Sequence, residues 1–267
     1  MIGVVDQPQQ LLLELPLDPV FTLANLVVGK GNRLAVEAVR DFGEEGGIFA
    51  VPPFAGLTLC GEAGTGKTHL LQATVRHLRT RHGERAALYL DLEGLDRHLV
   101  GDVQSAKSPV QGPEEVSEAI LAGFLARFEG CRLVAVDGLD RLDASPPLQE
   151  ALLYLYNGMK AAGVRLLFAG REQPGHFSTM RDDLRTRLMW GPVLFLEPPD
   201  EEDLAAILAK MVQDRQVRIS PDLVKFLVNR LPRRVPDVAL AIDLLDHAAL
   251  QQRRPLTIPL AKEVLGL

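Results

Sequence analysis

The sequence has few of the residues that build disulfide scaffolds and no apolar run of membrane-spanning length. It contains two cysteines, Cys60 and Cys131, and neither belongs to a CxxC pair or to a cysteine–histidine spacing typical of a metal site. Both lie beside strand-like apolar runs, so we expect buried free thiols. The apolar runs end at a carboxylate well short of the ~18 residues that a membrane span needs. The N-terminus lacks the basic cluster and apolar core of a secretory signal, so we expect a cytoplasmic protein with no membrane partner.

An excess of basic residues is also missing. The chain has 29 lysines and arginines against 35 aspartates and glutamates, a net charge of -6. This balance argues against tight, salt-driven binding of duplex DNA by the whole surface, although it is compatible with a local basic patch. With 47% hydrophobic residues, a chain of 267 residues can bury one sizeable core, or a core plus a small appendage.

Apolar strand-like runs alternate with helical patterns through most of the chain. Strands are predicted at 57–60, 86–90, 132–136, 165–169 and 193–196, and helices at 33–42, 67–79, 114–128 and 148–162. Continuous apolar strands separated by helices are typical of a parallel sheet covered on both faces. The sequence therefore predicts an α/β core.

The two ends of the chain differ from this core. Residues 1–20 contain three prolines and predict an extended leader. Residues 200–267 show only helical periodicity, and Ser220 followed by Pro221 predicts a helix N-cap with proline in the first turn. We therefore divide the chain into a leader at 1–20, an α/β domain at 21–199 and a small all-helical domain at 200–267.

A complete phosphate-loop pattern, GxxxxGK[ST], follows the first predicted strand and precedes a predicted helix. In this pattern backbone NH groups surround the phosphates of a nucleotide, the lysine bridges the β and γ positions, and the threonine hydroxyl binds Mg²⁺. The alternative is a glycine-rich turn that binds nothing. The candidate nucleotide-binding residues of this loop are Gly61, Glu62, Ala63, Gly64, Thr65, Gly66, Lys67, Thr68 and His69.

A carboxylate for the metal is available at the end of another predicted strand. Asp137 closes the run LVAVD, where it can reach Mg²⁺ through water, so Thr68 and Asp137 are the candidate metal-binding pair. The alternative is an aspartate that only caps the following turn. The next residue is Gly138, and Asp140 follows two positions later. A water-positioning or general-base group contributes ~10²–10⁴ in rate, so a missing acid at 138 predicts weak intrinsic turnover.

Together these residues resemble the AAA+ module of the bacterial replication initiator DnaA, and more closely its regulatory homologues of the Hda type. The resemblance extends over almost the whole chain. Its blocks are FTLANLVVGKGNRLA (21–35), CGEAGTGKTHLLQA (60–73), LVAVDGLDRL (133–142), LRTRLMWG followed by LEPP (184–199) and LTIPLAKEVL (256–265).

The resemblance implies an AAA+ P-loop fold that binds ADP or ATP with Mg²⁺ between the sheet and a helical lid. The Val27–Val28 segment would build part of the pocket. The initiator continues into a helix-turn-helix domain beyond the point where this sequence ends, so we expect no duplex DNA-binding domain.

The resemblance also implies an arginine that acts in trans. Arg187 matches the family's box VII arginine, which projects into the ATP site of an adjacent subunit; Arg185 is the second choice. Such a finger is worth ~10³ or more in rate. The alternative is a surface arginine paired with Asp182 or Asp183, and exposed pairs of that kind are common and weak.

The leader contains QLLLEL at residues 10–15. It is similar to the QLxLxL peptide with which Hda-type proteins dock on the replicative sliding clamp, which makes Gln10, Leu11, Leu13 and Leu15 the candidate clamp-binding residues. Alternate side chains of an extended peptide can fill the pockets of a preformed groove. The alternative is an apolar strand that packs on its own domain.

Two departures from the family pattern concern nucleotide sensing. The sensor position after the fourth strand, usually aspartate, is Arg171, and the lid arginine expected after Val235 is Pro236. Arg233 and Arg234 lie close by and could substitute. We expect ATP and ADP to be poorly distinguished, or ADP to be the working ligand.

The leading hypothesis is a regulator that binds nucleotide, docks on the clamp and promotes ATP hydrolysis by DnaA, with a homo-oligomer as a further option. The alternative is a DnaA-like adaptor, or a factor associated with single-stranded DNA, that does not stimulate hydrolysis. An independent P-loop kinase or helicase loader is disfavoured by the box VII and LEPP blocks.

Overall fold

The structure is a computed structural model that describes residues 16–43, 56–97 and 130–267. The predicted helix at 114–128 lies outside the described residues, and so do the four candidate clamp-binding residues.

The described residues contain a parallel sheet of five strands in the order β2-β3-β4-β1-β5. The strands are β1 (Gly56–Cys60), β2 (Ala87–Asp91), β3 (Leu133–Asp137), β4 (Arg165–Gly170) and β5 (Val193–Phe195). Each lies within one residue of its predicted bounds. The parallel order places the carboxyl ends of β1 and β3 on either side of β4, at one edge of the sheet.

Helices cover both faces of this sheet. They are α1 (Arg33–Gly43), α2 (Lys67–His82), α3 (Pro146–Ala161) and α4 (Asp182–Leu188). Successive strand residues point to opposite faces, so Leu166 joins the apolar cluster that contains α3, whereas Leu167 joins the cluster that contains α1 and α2. Burial on both faces is the reason that β1 to β4 are almost continuously apolar, as predicted for an α/β core, whereas the edge strand β5 is partly exposed.

Four further helices follow the sheet and share a separate apolar core. They are α5 (Glu201–Asp214), α6 (Pro221–Val228), α7 (Val235–Gln252) and α8 (Ile258–Leu265). The hydroxyl of Ser220 accepts a hydrogen bond from the Leu223 amide, which confirms the predicted N-cap of α6. The carboxylate of Asp200 caps α5 in the same way.

Cys60 and Cys131 are buried free thiols, as predicted. Burial raises the pKa of Cys60 to about 11, so it is an inert core residue at neutral pH. None of the helices that the structure describes is long and apolar enough to cross a membrane.

Candidate functional site

The phosphate loop connects the end of β1 to the start of α2, the context that the pattern requires. Gly66 is the N-cap of α2 with φ 96° and ψ 10°, a left-handed conformation that residues with a Cβ rarely adopt. Glu62 is exposed at the outer turn of the loop, and Thr65 is buried with its hydroxyl on the Glu62 carbonyl. The loop therefore precedes a helix N-terminus with free amides, a favourable position for an anion.

Lys67 lies inside the loop. Its ammonium donates to the carbonyls of Gly61, at 2.6 Å, and Glu62, at 2.8 Å, and the residue is only 9% exposed. Burial lowers the pKa of Lys67, while Asp137 and Asp140 act in the opposite direction. A cation held at this point is suited to the phosphates of a nucleotide.

Thr68 and Asp137, the candidate metal-binding pair, are in direct contact. The Thr68 hydroxyl donates to Asp137 Oδ2 at 2.6 Å, and the Gly138 amide donates to Oδ1 at 2.8 Å. Burial raises the pKa of Asp137, and these hydrogen bonds partly oppose that shift. Hydroxyl and carboxylate oxygens are ligands that suit Mg²⁺, which is commonly held by one or two protein oxygens together with substrate phosphates.

Sequence reasoning missed a third residue at this carboxylate. The hydroxyl of Tyr89 in β2 also donates to Asp137 Oδ2, at 3.0 Å. In the sequence Tyr89 is one more apolar strand residue, and only the pairing of β2 with β3 brings it to Asp137.

No group of three or more His, Cys, Asp or Glu side chains among residues 16–43, 56–97 and 130–267 is placed to hold a metal. A metal at this site would therefore depend on Thr68, Asp137 and the phosphates of a bound nucleotide.

The residues after Asp137 do not supply a water-activating acid. Gly138 has φ 84° and ψ 36°, so a glutamate or aspartate at this point would require a strained backbone. The Asp140 carboxylate accepts a hydrogen bond from the Arg171 amide at 2.8 Å and lies 3.9 Å from its guanidinium. Asp140 is thus held by the residue at the altered sensor position.

The Val27–Val28 segment lies between α1 and the helical domain formed by α5 to α8, which we call the lid. Asn32 fixes it, because its side-chain amide donates to the Val27 carbonyl and its side-chain oxygen accepts from the Gly29 amide, both at 2.9 Å. Lys30 forms ion pairs with Asp200 and Glu202 at the start of α5. The segment is therefore held next to α1 and to the start of α5.

The lid also contacts the phosphate loop directly. The Val235 amide donates to the Gly64 carbonyl at 3.3 Å, and a Cβ on Gly64 would lie 2.9 Å from Pro236 Cδ. Arg233 turns away to pair with Glu201 at 2.8 Å, whereas the backbone of Arg234 runs beside Gly64. Of the two arginines that could replace the missing lid arginine, Arg234 is the one next to the loop.

His69, the last residue of the predicted nucleotide-binding set, contacts residues 21 and 22 with its side chain. Its imidazole stacks on Phe21, with 4.9 Å between ring centroids, and hydrogen-bonds the Thr22 carbonyl at 2.9 Å. Burial lowers the pKa of His69. Its role in the structure is to hold residues 21–22 on α2, next to the Val27–Val28 segment.

The two candidate finger arginines have different surroundings on α4. Arg185 pairs with Asp182 and donates to the carbonyls of Phe177 and Met180, so it closes the loop that precedes the helix. Arg187 is half-buried, donates to the Asp183 carbonyl at 2.7 Å, and makes no ion pair with a carboxylate of the described residues. Beyond it, Trp190 is 55% exposed, with the Lys160 ammonium 4.4 Å from its ring centroid.

A separate groove of about 1000 Å³ lies between α5 and α6 within the lid. It is lined by lid residues alone and contains none of the candidate site residues.

Comparison with known proteins identifies this arrangement. Residues 17–194 match the family model of the bacterial DnaA ATPase domain, and residues 200–265 match that of the Hda lid domain. Among curated proteins, the initiator DnaA of Herpetosiphon aurantiacus is 26% identical over 250 residues, which are 94% of this chain and 49% of that protein. DnaA of Methylobacillus flagellatus is 27% identical over 97% of this chain and 52% of its own length. The chain thus spans about half the length of these relatives.

Solved structures agree on the fold. Domain III of the Thermotoga maritima DnaA superposes with a TM-score of 0.79 at 23% identity, over 94% of this chain and 98% of that one. The AMPPCP-bound DnaA from Aquifex aeolicus gives 0.69 at 20% identity, over 89% and 69%. The chain belongs to the bacterial DnaA ATPase-domain family and carries a lid domain of the Hda type.

Proposed function

We propose that this protein is an AAA+ regulator of DNA replication initiation that binds an adenine nucleotide with Mg²⁺ and promotes ATP hydrolysis by the initiator DnaA. In this proposal residues 1–20 are a leader that docks on the sliding clamp, residues 21–199 are the nucleotide-binding domain and residues 200–267 are the lid.

Three features support nucleotide binding. The phosphate loop has its buried lysine, the Thr68–Asp137 pair offers oxygens to Mg²⁺, and the lid contacts the loop at Gly64. The related DnaA of Aquifex aeolicus has been solved with the ATP analogue AMPPCP. When bound, Mg²⁺ would neutralise phosphate charge, while Lys67 and the loop amides hold the phosphates in place.

Slow intrinsic hydrolysis is supported by the surroundings of Asp137. The following residue, Gly138, has a left-handed backbone and no side chain, and Asp140 is engaged by Arg171. In a site that binds the phosphates but lacks a positioned base, hydrolysis of the bound nucleotide is slow.

The observation that carries the proposed activity is the coexistence of this site with a half-buried Arg187 that forms no ion pair within 4 Å among the described residues. Among the described residues, the guanidinium hydrogen-bonds one carbonyl of its own helix, so redirecting it breaks a single local bond. Arg187 would reach the γ-phosphate bound by an adjacent DnaA subunit and stabilise the charge that develops there.

The leader would bring this arginine to DnaA on the clamp. Residues 10–15 lie outside the described residues, but the chain just after them is anchored: Leu17 packs on the apolar core and the Asp18 amide donates to Gln72 in α2. A clamp-bound peptide would therefore be linked closely to the nucleotide-binding domain, which raises the effective concentration of Arg187 at DNA-bound clamps.

The test is ATP hydrolysis by DnaA in the presence of DNA-loaded clamp, with wild-type protein, Arg187→Ala and the matched control Arg181→Ala. Arg181 lies just before α4 and pairs with Asp183 at the surface. We expect wild type and the control to stimulate hydrolysis and Arg187→Ala to lose about 10³-fold of that stimulation. Equal stimulation by all three proteins contradicts the mechanism, and binding to DnaA without any stimulation identifies the adaptor function instead.

A further variant separates docking from chemistry. Replacing Gln10 and Leu13 by alanine should remove the dependence of stimulation on the clamp and leave ADP affinity unchanged, since neither residue is assigned to the nucleotide site. Stimulation that keeps its full clamp dependence would exclude the peptide as the docking element.

A further inference from the structure

A buried glutamine and a buried tyrosine lie between the anchored end of the leader and the metal-binding carboxylate. Gln72 in α2 is 7% exposed and Tyr89 in β2 is 4% exposed. Tyr89 belongs to the apolar cluster that α1 and α2 form on the sheet, where an unpaired polar group would be costly. Both side chains therefore need hydrogen-bond partners inside the protein.

These groups form a row. The Asp18 amide donates to Gln72 Oε1 at 2.8 Å, and the Gln72 side-chain amide lies near the Tyr89 hydroxyl, close enough to interact with it. The Tyr89 hydroxyl donates to Asp137 Oδ2 at 3.0 Å, and Thr68 donates to the same oxygen. The row begins on the backbone of residue 18 and ends on both candidate metal-binding residues.

The donors and acceptors in this row can be assigned in only one way. The backbone amide of Asp18 can only donate, so Gln72 must present its oxygen to it and its NH₂ group to Tyr89. That NH₂ group can only donate as well, so the phenol oxygen accepts and its own proton must point to Asp137. The carboxylate then receives two hydroxyl protons on Oδ2 and the Gly138 amide on Oδ1, which fixes its rotation.

We propose that Tyr89 and Gln72 are positioning residues that orient Asp137 for Mg²⁺ and couple it to the seating of residues 17–22 on α2. The inference rests on the nucleotide site of the proposed function. Removing the Tyr89 hydroxyl takes away one of the three hydrogen bonds that hold Asp137, and loss of such an outer partner lowers metal affinity by about 10-fold or more. Coupling is reciprocal, so an event that fixes Asp137 must also stabilise the far end of the row.

The far end is well defined, because α2 holds the leader segment at several points. Arg76 donates to the carbonyls of Leu17 and Asp18, and His69 bonds the Thr22 carbonyl. The Asp18 amide therefore keeps its position facing Gln72. Clamp docking at residues 10–15 would act on the chain within a few residues of this amide.

The test compares the full-length protein with Tyr89→Phe, Gln72→Met and the matched control Thr74→Val. Thr74 is a buried residue of the same helix whose hydroxyl bonds only the Leu70 carbonyl among the described residues. For each protein, the Kd for ADP is measured in Mg²⁺ and in EDTA, and the ratio of the two values gives the gain due to metal. Thermal unfolding verifies that each variant is folded.

We expect the metal-dependent gain to fall about 10-fold in Tyr89→Phe and about 3-fold in Gln72→Met, with the Kd in EDTA unchanged within about 2-fold. Thr74→Val should match wild type. A general loss of structure would instead raise both Kd values together. The inference is overturned if the tyrosine and glutamine variants show the same metal-dependent gain as wild type. It is also overturned if they lose ADP affinity equally in Mg²⁺ and in EDTA. If one variant does not fold, the other decides.

Hydrogen exchange at the Asp18 amide provides the second measurement. Mg²⁺ with ADP should slow this exchange in wild type and not in Tyr89→Phe, and an equal slowing in both proteins would contradict the coupling. Wild type that binds no ADP in either medium would refute the proposed function and this inference together. Wild type with a normal metal gain that Tyr89→Phe also shows would refute the inference alone.

Discussion

At the scale of single residues, Lys67 and Asp137 carry opposite charges at the phosphate loop, and burial works against both. It lowers the pKa of the lysine and raises that of the aspartate, while the charge of Asp137 acts to raise the pKa of Lys67. Such a pair is maintained for ligand binding at a cost in stability of the free protein.

Asp137→Asn should therefore stabilise the free protein. Because the folded-state pKa of Asp137 is raised, stability is lost as the pH rises from the unfolded pKa through the folded pKa, and an amide avoids this loss. At pH 7.5 we expect a higher melting temperature, together with loss of most of the Mg²⁺-dependent gain in ADP affinity. A lower melting temperature with an unchanged metal gain would contradict this prediction.

The contribution of His69 to stability depends on pH in the opposite direction. Its folded-state pKa is lowered by burial, so its contribution to stability is present above the ordinary value of about 6.5 and is lost as the pH falls below it. His69→Gln keeps a hydrogen-bond donor for Thr22 and cannot titrate. Urea unfolding at pH 7.5 and 5.5 should show a smaller acid-induced loss in this variant than in wild type. His247→Gln, at an exposed position of α7, serves as the control and should leave the acid-induced loss unchanged.

At the scale of elements, α4 separates the two finger candidates by what each holds together. Arg185 ties the carbonyls of Phe177 and Met180 to the helix, whereas the Arg187 guanidinium bonds the Asp183 carbonyl of its own helix. Hydrogen bonds from a charged group are worth ~1.5–3 kcal/mol each.

Arg185→Ala should consequently lower the free energy of unfolding by about 3 kcal/mol, measured by urea denaturation, because it removes two such bonds. Arg187→Ala should lower it by about half as much, because the guanidinium makes one such bond. If the destabilisation followed Arg187 instead, the structural role would belong to that residue and the finger would have to be reassigned.

The strands were predictable because burial on both faces leaves an uninterrupted apolar run in the sequence. By contrast, α4 was not predicted as a helix, since its sequence DDLRTRL is short and mostly polar, with Leu184 and Leu188 as its only apolar residues. Its helical state depends on packing of these two leucines against the core on the α3 side of the sheet.

The candidate site likewise contains residues that the sequence identifies and residues that it does not. The phosphate loop and Asp137 form local patterns with a fixed chemical meaning, so the sequence identifies them. Gln72 resembles an ordinary helix residue and Tyr89 an ordinary strand residue. Tyr89 meets Asp137 only because β2 pairs with β3, and Gln72 comes near Tyr89 only because α2 packs on these strands. Tertiary contacts of this kind leave no signal in a single sequence.

At the scale of the whole molecule, the lid and the sheet domain meet at the phosphate loop and at the Val27–Val28 segment. The contact at Gly64 is close, since the glycine has φ 85° and faces Pro236 and Arg234. Lid position and phosphate binding should therefore depend on one another.

Gly64→Ala tests this dependence against Gly83→Ala as the matched control. Both glycines have a left-handed φ, but a Cβ at Gly83 would meet nothing within 4 Å, whereas one at Gly64 would press on Pro236. Both variants should lose about 1 kcal/mol of stability from backbone strain. Only Gly64→Ala should weaken ADP binding, by about 10-fold, and equal affinities would show that the lid contact is irrelevant to binding.

The account depends on a site that holds its nucleotide without cleaving it efficiently. The most direct measurement is the nucleotide content of the protein purified in Mg²⁺, followed by its ATP turnover in isolation. We predict about one adenine nucleotide per chain and turnover below about 10⁻² s⁻¹, a median enzyme rate reduced by the ~10³ that a positioned base supplies. A chain that retains no adenine nucleotide, or that hydrolyses ATP alone at about 10 s⁻¹, would contradict the account.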